Sequence, residues 1–308
     1  MIKVSITGAD GFLGSYLSDF LEKRNIEVNK LTRTLGYDLR LLNQNFKNNK
    51  WLKALNKSDF IVHCASKVHD FNQSSFEEFR QINVEGSCAL LNLAIRMKVK
   101  KFIYISSIKV LGENSTFKQP FNSKSIPNPI GNYSFSKFQA EEKLKKIASE
   151  NNIDLIIIRP PLIYGPNVGA NFLTIMNLVY RRIPLPFKGI KNKRSIVFVG
   201  NISDLIYNCL INSNVRNCSL LISDDELVSS IELMKLISTN FGYKLRLFKF
   251  PLFLLSIIFY LVNKKSQFDR IKSSLVVDSS YTKRLLNWKQ PYTLQEGLKI
   301  TTNAYTKK

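Results

Sequence analysis

The sequence predicts a doubly wound α/β fold, a parallel sheet with helices on both faces. Three observations predict it. Short apolar runs alternate with helical stretches through the first half of the chain. The first run stops at a glycine and a helical pattern follows at once. After Pro160-Pro161 the alternation gives way to proline and glycine clusters, which mark turns rather than crossovers. Strands separated by helices imply parallel neighbours, because parallel pairing needs a long return connection.

The elements follow in order. Ile2 to Thr7 is the first strand signal, and Phe12 to Arg24 carries helical spacing. Glu27 to Leu31, Asp59 to Cys64, Phe102 to Ser106 and Leu155 to Ile158 repeat the strand signal. Helical stretches lie between them, notably Phe76 to Met97 and Tyr133 to Glu150. Turn residues then cluster at Pro160 to Pro166 and at Pro184 to Gly189. The C-terminal third reads as mostly helical, with short strands expected at Ser219 to Ile222 and Leu245 to Leu247. Two units are expected: 1–166 as the sheet domain, with 195–212 returning to it, and 167–308 mainly as a smaller lobe.

Composition narrows the function. At 44% hydrophobic and 22% charged residues, the 308-residue chain is neither disordered nor fibrous. Forty-five Lys and Arg against 23 Asp and Glu give +22, a field that attracts polyanions. The charge is scattered, as on a solvated surface, and lacks the basic stripe with stacking aromatics of a nucleic-acid binder. Cys64, Cys88, Cys209 and Cys218 form no CxxC pair, and His63 and His69 lack zinc-site spacing. Reduced thiols, no metal site and a cytoplasmic location are expected. Met1-Ile2-Lys3-Val4 runs straight into a strand pattern, so no signal peptide is expected. The apolar stretch Pro251 to Val262 falls short of the about 20 residues that span a bilayer. A helix apolar around most of its circumference is expected to be buried. Docking on a membrane surface, favoured by the flanking Asn263-Lys264-Lys265, and dimer packing are the alternatives.

Three motifs carry chemistry. Thr7-Gly8-Ala9-Asp10-Gly11-Phe12-Leu13-Gly14 lies between the first strand and the first helix. Glycines there let the backbone approach a pyrophosphate, and the helix N-terminus offers free N–H groups. Its G-x-x-G-x-x-G spacing departs from G-x-G-x-x-G, but its strand-turn-helix context points to a dinucleotide. In Tyr133-Ser134-Phe135-Ser136-Lys137 the phenol and ammonium share a helix face, and a neighbouring cation stabilises a phenolate. Tyr133 is therefore expected to exchange protons near neutrality. Ser106-Ser107-Ile108-Lys109-Val110-Leu111-Gly112 follows the fourth strand, where ligands of doubly wound sheets bind and a serine can hydrogen-bond a substrate oxygen.

Together these motifs resemble the extended short-chain dehydrogenase/reductases of the NAD-dependent epimerase/dehydratase family, whose cofactor domain is a Rossmann fold. The likeness runs from Thr7 to Leu285-Leu286-Asn287-Trp288, similar to the family's "LGW" segment. It implies a catalytic Ser107, Tyr133 and Lys137. It places the dinucleotide on Gly8, Gly11, Phe12, Leu13 and Gly14, with Arg33, Asp38 and Leu39 towards the adenosine end. Ala65 and Ser66 of His63-Cys64-Ala65-Ser66, together with Asn83, Tyr133, Lys137 and Pro160, complete that set. Ser107, Tyr133, Asn171, Arg194 and Arg270 would hold a nucleotide-sugar.

The strings "HCASKVHDF", "FIYISSIKVLGE", "RPPLIYGPNVGANF" and "IPLPFKGIKNKRSIVFVGNISDLI" resemble, more narrowly, bacterial enzymes that form UDP-N-acetyl-quinovosamine, with Leu111 a small departure. That likeness implies reduction of a UDP-4-keto-6-deoxy-N-acetylhexosamine in surface-polysaccharide synthesis. A UDP-hexose 4-epimerase with bound NAD is the alternative, and a dinucleotide-sensing regulator is the non-enzyme one. The family's dehydratases carry an Asp-Glu pair after the serine or threonine, where this chain has Ile108 and Lys109. NAD-preferring folds end the second strand on a carboxylate, whereas here Thr32-Arg33 suits a 2′-phosphate. NADP(H) is the expected cofactor, NAD(H) the alternative, and a homodimer the expected assembly.

Overall fold

Lys3–Thr7 (β1), Glu27–Leu31 (β2), Phe60–His63 (β3), Lys101–Ile105 (β4) and Asp154–Arg159 (β5) lie side by side in parallel. A computed structural model describes residues 2–42, 49–68, 75–262 and 265–307. His69, Asn263 and Lys264, noted above, lie outside the described residues. The connections are helical: Phe12–Glu22 (α1), Leu39–Leu42 (α2), Asn49–Leu55 (α3), Phe76–Phe79 (α4), Gly86–Arg96 (α5) and Asn132–Asn151 (α6). Beyond β5 come Leu162–Tyr164 (β6), Ala170–Tyr180 (α7), Ile196–Phe198 (β7), Val199–Ile211 (α8) and Cys218–Leu221 (β8). The chain ends in Ser230–Asn240 (α9), Leu252–Leu261 (α10), Lys265–Lys272 (α11), Ser280–Leu286 (α12) and Leu294–Thr306 (α13).

The main sheet has the order β2-β1-β3-β4-β5-β8. Side chains of a strand alternate between faces, so each central strand feeds two cores. Val4, Ile6, Val62, Ile156 and Ile158 enter the core shared with α1 and α8, while Ile61, Phe102, Leu155 and Ile157 enter the one beneath α5 and α6. Burial on both faces explains why these strands read as continuous apolar runs. The doubly wound α/β fold is therefore as expected.

The order reverses direction at β1, which has β2 on one side and β3 on the other. Ligands of such sheets bind where the order reverses, beyond the carboxyl ends of the strands. Because all the strands run one way, Gly8, Thr32, Cys64, Ser106 and Pro160 all follow strands at that same edge.

Four local features differ from the sequence reading. Ser219 to Leu221 fall in β8, which pairs with β5 as the sixth strand of the main sheet, and Ile222 lies beyond it. Leu245 to Leu247 forms no strand, only an isolated bridge from Leu247 to Leu185. Its partner segment holds Pro184 and Pro186, which lack the N–H a ladder needs. Within Phe76 to Met97, a π-helical turn at Arg80–Glu85 separates α4 from α5 and carries Asn83. Such turns often mark functional regions.

The fourth difference is α10. Expected to be buried, it is largely exposed: only Leu255 is fully covered, while Phe253 and Leu261 are 66% and 76% exposed. The helix rests on the short, polar α11, mainly through Phe259 against Phe268, and that element is too small to cover it.

The segment 195–212 lies against β6 and α1. β7 pairs with β6. α8 packs on α1, with Arg24 beside Asp204 at 3.7 Å and over the Tyr207 ring.

Candidate active site

The glycine turn is built for close approach. Gly8 has φ +66°, donates to Leu31 O at 3.0 Å and accepts from Gly11 N at 2.9 Å. A Cβ on Gly8 would lie 2.9 Å from Ala65 N, and one on Gly14 would lie 2.1 Å from Gly8 O. Only glycine lets β1, α1 and the loop after β3 meet this closely. Gly11 precedes α1 with no capping side chain, and the first turn holds no acid. Its N–H groups and the positive end of the helix fit a pyrophosphate, so these residues fit a nicotinamide dinucleotide.

Helix α6 begins after Gly131 and carries Tyr133, Lys137 and Glu141 at four-residue intervals on one face. The hydroxyls of Ser107 and Ser66 lie near enough to the Tyr133 phenol to act on its charge. Burial pushes it up to about 12, and the two hydroxyls draw it the other way. Lys137 is 2% exposed. Its ammonium donates to Ile105 O at 2.8 Å and lies 4.6 Å from the Tyr104 ring centre. Burial lowers it to about 7, against the opposing pull of Cys64 and Glu141. The helical spacing brings Lys137 towards the phenol, but in the fold both groups lose water and the ammonium bonds the Ile105 carbonyl. Burial raises the phenol rather than lowering it.

This lysine should cost stability. A base whose folded pKa is depressed gives a contribution present above its unfolded pKa, near 10.5, and lost as pH falls through about 7. Lys137→Met is therefore expected to gain about 1–3 kcal/mol at pH 7 while abolishing turnover, because a buried charge is removed. The gain should shrink as pH approaches 10. Urea unfolding of both proteins across that range measures it.

A buried ion pair lies beneath the lysine. Arg159, at the end of β5, grips Glu141 through Nη2–Oε2 at 2.5 Å and Nε–Oε1 at 3.0 Å. Ser106 Oγ donates to the same carboxylate at 2.5 Å. Sequence reasoning missed all three residues, although Glu141 continues the spacing that singled out Tyr133 and Lys137. His63, at the end of β3, is bonded to Thr7 Oγ1 at 2.6 Å and Ser87 Oγ at 2.8 Å. Burial holds its imidazole neutral, down to about 3, with the Lys137 charge adding to the effect.

The remaining expected site residues fall in several places. Asn83 is buried, accepts from Lys67 N at 2.8 Å and donates to Lys67 O and Ser136 Oγ, clamping the loop that carries Ser66. Pro160 O accepts from Ile108 N at 2.9 Å, tying the end of β5 to the Ser107 segment. Leu39 is buried in the core beneath α5, whereas Phe12 is half-buried and Leu13 buried at the start of α1. Arg33 is exposed after β2, and its charge reaches Asp38, whose carboxylate is held low chiefly by the bonded Arg40. Asn171 is exposed in the first turn of α7. Arg194 Nη1 donates to Arg270 O at 2.6 Å and Ser273 O at 3.1 Å, closing the end of α11. Burial and the neighbouring Arg270 charge both lower the Arg194 guanidinium.

Residues 4–215 match the model of the "NAD dependent epimerase/dehydratase family". The chain belongs to that family. A UDP-glucose 4-epimerase from Vibrio cholerae is 35% identical over 98% of this chain and 95% of its own. Two solved structures share the fold of this epimerase/dehydratase family member. UDP-glucuronic acid 4-epimerase from Bacillus cereus, in complex with NAD, has a TM-score of 0.78 at 20% identity over 99% of both chains. RMD from Pseudomonas aeruginosa, complexed with NADPH, has 0.78 at 18% identity over 100% of both. The chain is thus an enzyme of the epimerase/dehydratase family, with a nicotinamide dinucleotide as its cofactor.

Proposed function

We propose that this enzyme is a nucleotide-sugar 4-ketoreductase that uses NADPH. Its substrate is a UDP-4-keto-6-deoxy-N-acetylhexosamine, and its product is UDP-N-acetyl-quinovosamine or a stereoisomer, made for surface polysaccharide. The observation that carries this reading is Tyr133 four residues before the buried Lys137 on one face of α6, with the buried Ser107 acting on its phenol. Reduction of a ketone needs an acid at the carbonyl oxygen. Tyr133 gives its proton to the C4 oxygen, and Ser107 donates a hydrogen bond to the same oxygen. Lys137 holds the nicotinamide ribose. When bound, the reduced nicotinamide supplies the hydride.

Three further features support the reading. Ile108 is buried and Lys109 pairs with Glu113 at 2.9 Å, so neither offers the acid and base of a dehydration. Arg194 and Arg270, with Asn171, are the residues for the UDP diphosphate. At the end of β2, Arg33 stands where a free carboxylate would select NAD, and the nearby Asp38 is taken by Arg40 at 3.1 Å. Residues 167–308 supply most of the sugar-nucleotide contacts, and the assembly is a cytoplasmic homodimer.

Arg33→Asp is expected to shift preference from NADPH towards NADH, because a carboxylate repels the 2′-phosphate and accepts from the 2′-hydroxyl. Binding titrations with both cofactors check this, and unchanged selectivity would remove the NADPH assignment.

The full-length relative named UDP-glucose 4-epimerase favours a second reading, a UDP-hexose 4-epimerase with bound NAD. One incubation separates the two. The reductase consumes one NADPH per sugar and yields a product about two mass units heavier. Equal-mass interconversion of UDP-glucose or UDP-N-acetylglucosamine, without added reductant, assigns the epimerase instead.

A further inference from the structure

Helix α10 is apolar on its outward side as well as on its inward one. Leu252, Leu255, Ser256 and Phe259 form the covered or half-covered side, so the single serine faces inward. Phe253, Leu254, Ile257, Ile258 and Leu261 face outward, each between 38% and 76% exposed. A surface helix of a protein that meets only water carries polar residues on its outward side. An outward patch of this size marks an interaction surface. Ten residues make a helix about 15 Å long, too short to cross a bilayer but long enough to lie in its interface.

The surroundings choose the occupant. Segments 180–193 and 241–262 hold eight Lys and Arg and no Asp or Glu, although Lys193 is paired with Glu232. They lie together: Leu185 bridges Leu247, and Lys188 N donates to Phe248 O at 3.3 Å. Along the second segment Leu245 and Leu247 are half-buried, while Lys244, Arg246, Phe248 and Lys249 are exposed. That ribbon leads directly into α10 at Pro251. The packed α11 adds Lys265 and Lys272 against Asp269, apart from the Arg270 assigned to the diphosphate. An apolar helix face beside a cationic ribbon complements a lipid interface with anionic headgroups. A second copy of this chain would bring an equal positive charge to the same surface.

We propose that α10 and the ribbon leading into it dock this enzyme on an anionic membrane surface, with Ile257 and Leu261 in the acyl boundary and Arg246 and Lys249 at the headgroups. The proposal is independent of which nucleotide-sugar the active site takes.

The test is co-sedimentation of the full chain with vesicles of phosphatidylcholine alone or mixed with phosphatidylglycerol. Binding is expected only with phosphatidylglycerol present, and it should weaken as salt rises. Ile257→Asn with Leu261→Asn, and separately Arg246→Glu with Lys249→Glu, should each lower vesicle affinity by about ten-fold or more. Turnover in solution should be unchanged, which also shows that each variant folds. Because the two variants alter different groups, a folding failure in one leaves the other as the test. Absence of binding, equal binding to neutral vesicles, or unchanged binding by both variants overturns the proposal. So does conversion of a dimer to monomers by the asparagine variant, which assigns the face to a second copy.

Discussion

Tyr133→Phe is expected to lower kcat by about 10²- to 10⁴-fold, the usual contribution of a positioned general acid. Burial pushes the phenol up to about 12, against the opposing influence of the Ser107 and Ser66 hydroxyls. Phenylalanine keeps the ring and loses only the hydroxyl. Dinucleotide affinity, measured by fluorescence titration, should therefore change little, because the glycine turn that fits the pyrophosphate involves Gly8, Gly11 and Gly14. A variant that turns over at the wild-type rate would show that another group supplies the proton. Because the phenol stays protonated through neutrality, it should impose no fall in rate between pH 6 and pH 9. A fall there would instead report Lys137, whose ammonium is lost above about 7.

The second large effect lies beneath the site. Arg159→Met should destabilise the protein by about 3–5 kcal/mol, because it leaves the carboxylate of Glu141 buried without its partner. Glu141 is fully buried and Arg159 nearly so, and Ser106 Oγ alone would remain on the carboxylate. Pairing Arg159→Met with Glu141→Leu should recover most of the loss, since two apolar side chains then fill a dry space. Urea unfolding of the two single variants and the double variant gives the coupling energy. A double variant no better than the sum of the singles would mean that the pair acts independently. Because Glu141 also supports the charge of Lys137, the double variant should shift the alkaline limb of the pH–rate profile downward.

Much of the fold was readable because its signals are local. Apolar runs such as Phe102 to Ser106, the glycines after the first strand and the four-residue interval from Tyr133 to Lys137 depend on near neighbours in the chain. Their placement at one edge follows from parallel strands, which the helical crossovers already require. The same spacing rule would have reached Glu141, but nothing local says that Arg159, 18 residues on, lies against it. The return of β8 to the main sheet, the clamp of Asn83 on Lys67 and the carbonyl that takes the Lys137 ammonium are all long-range pairings. Proton chemistry at Tyr133 was likewise decided by tertiary structure: spacing puts a lysine near the phenol, but desolvation and the partner chosen set which way each group shifts.

Helix α10 shows the division most sharply. By itself the sequence determined that Leu252 to Leu261 is a helix with almost no polar side. Whether such a helix is buried depends on how much neighbouring surface the rest of the chain folds against it. The tertiary structure covers the inward side and sets the short α11 against it, so an apolar face that composition assigned to the core stands outward, beside a ribbon of cations.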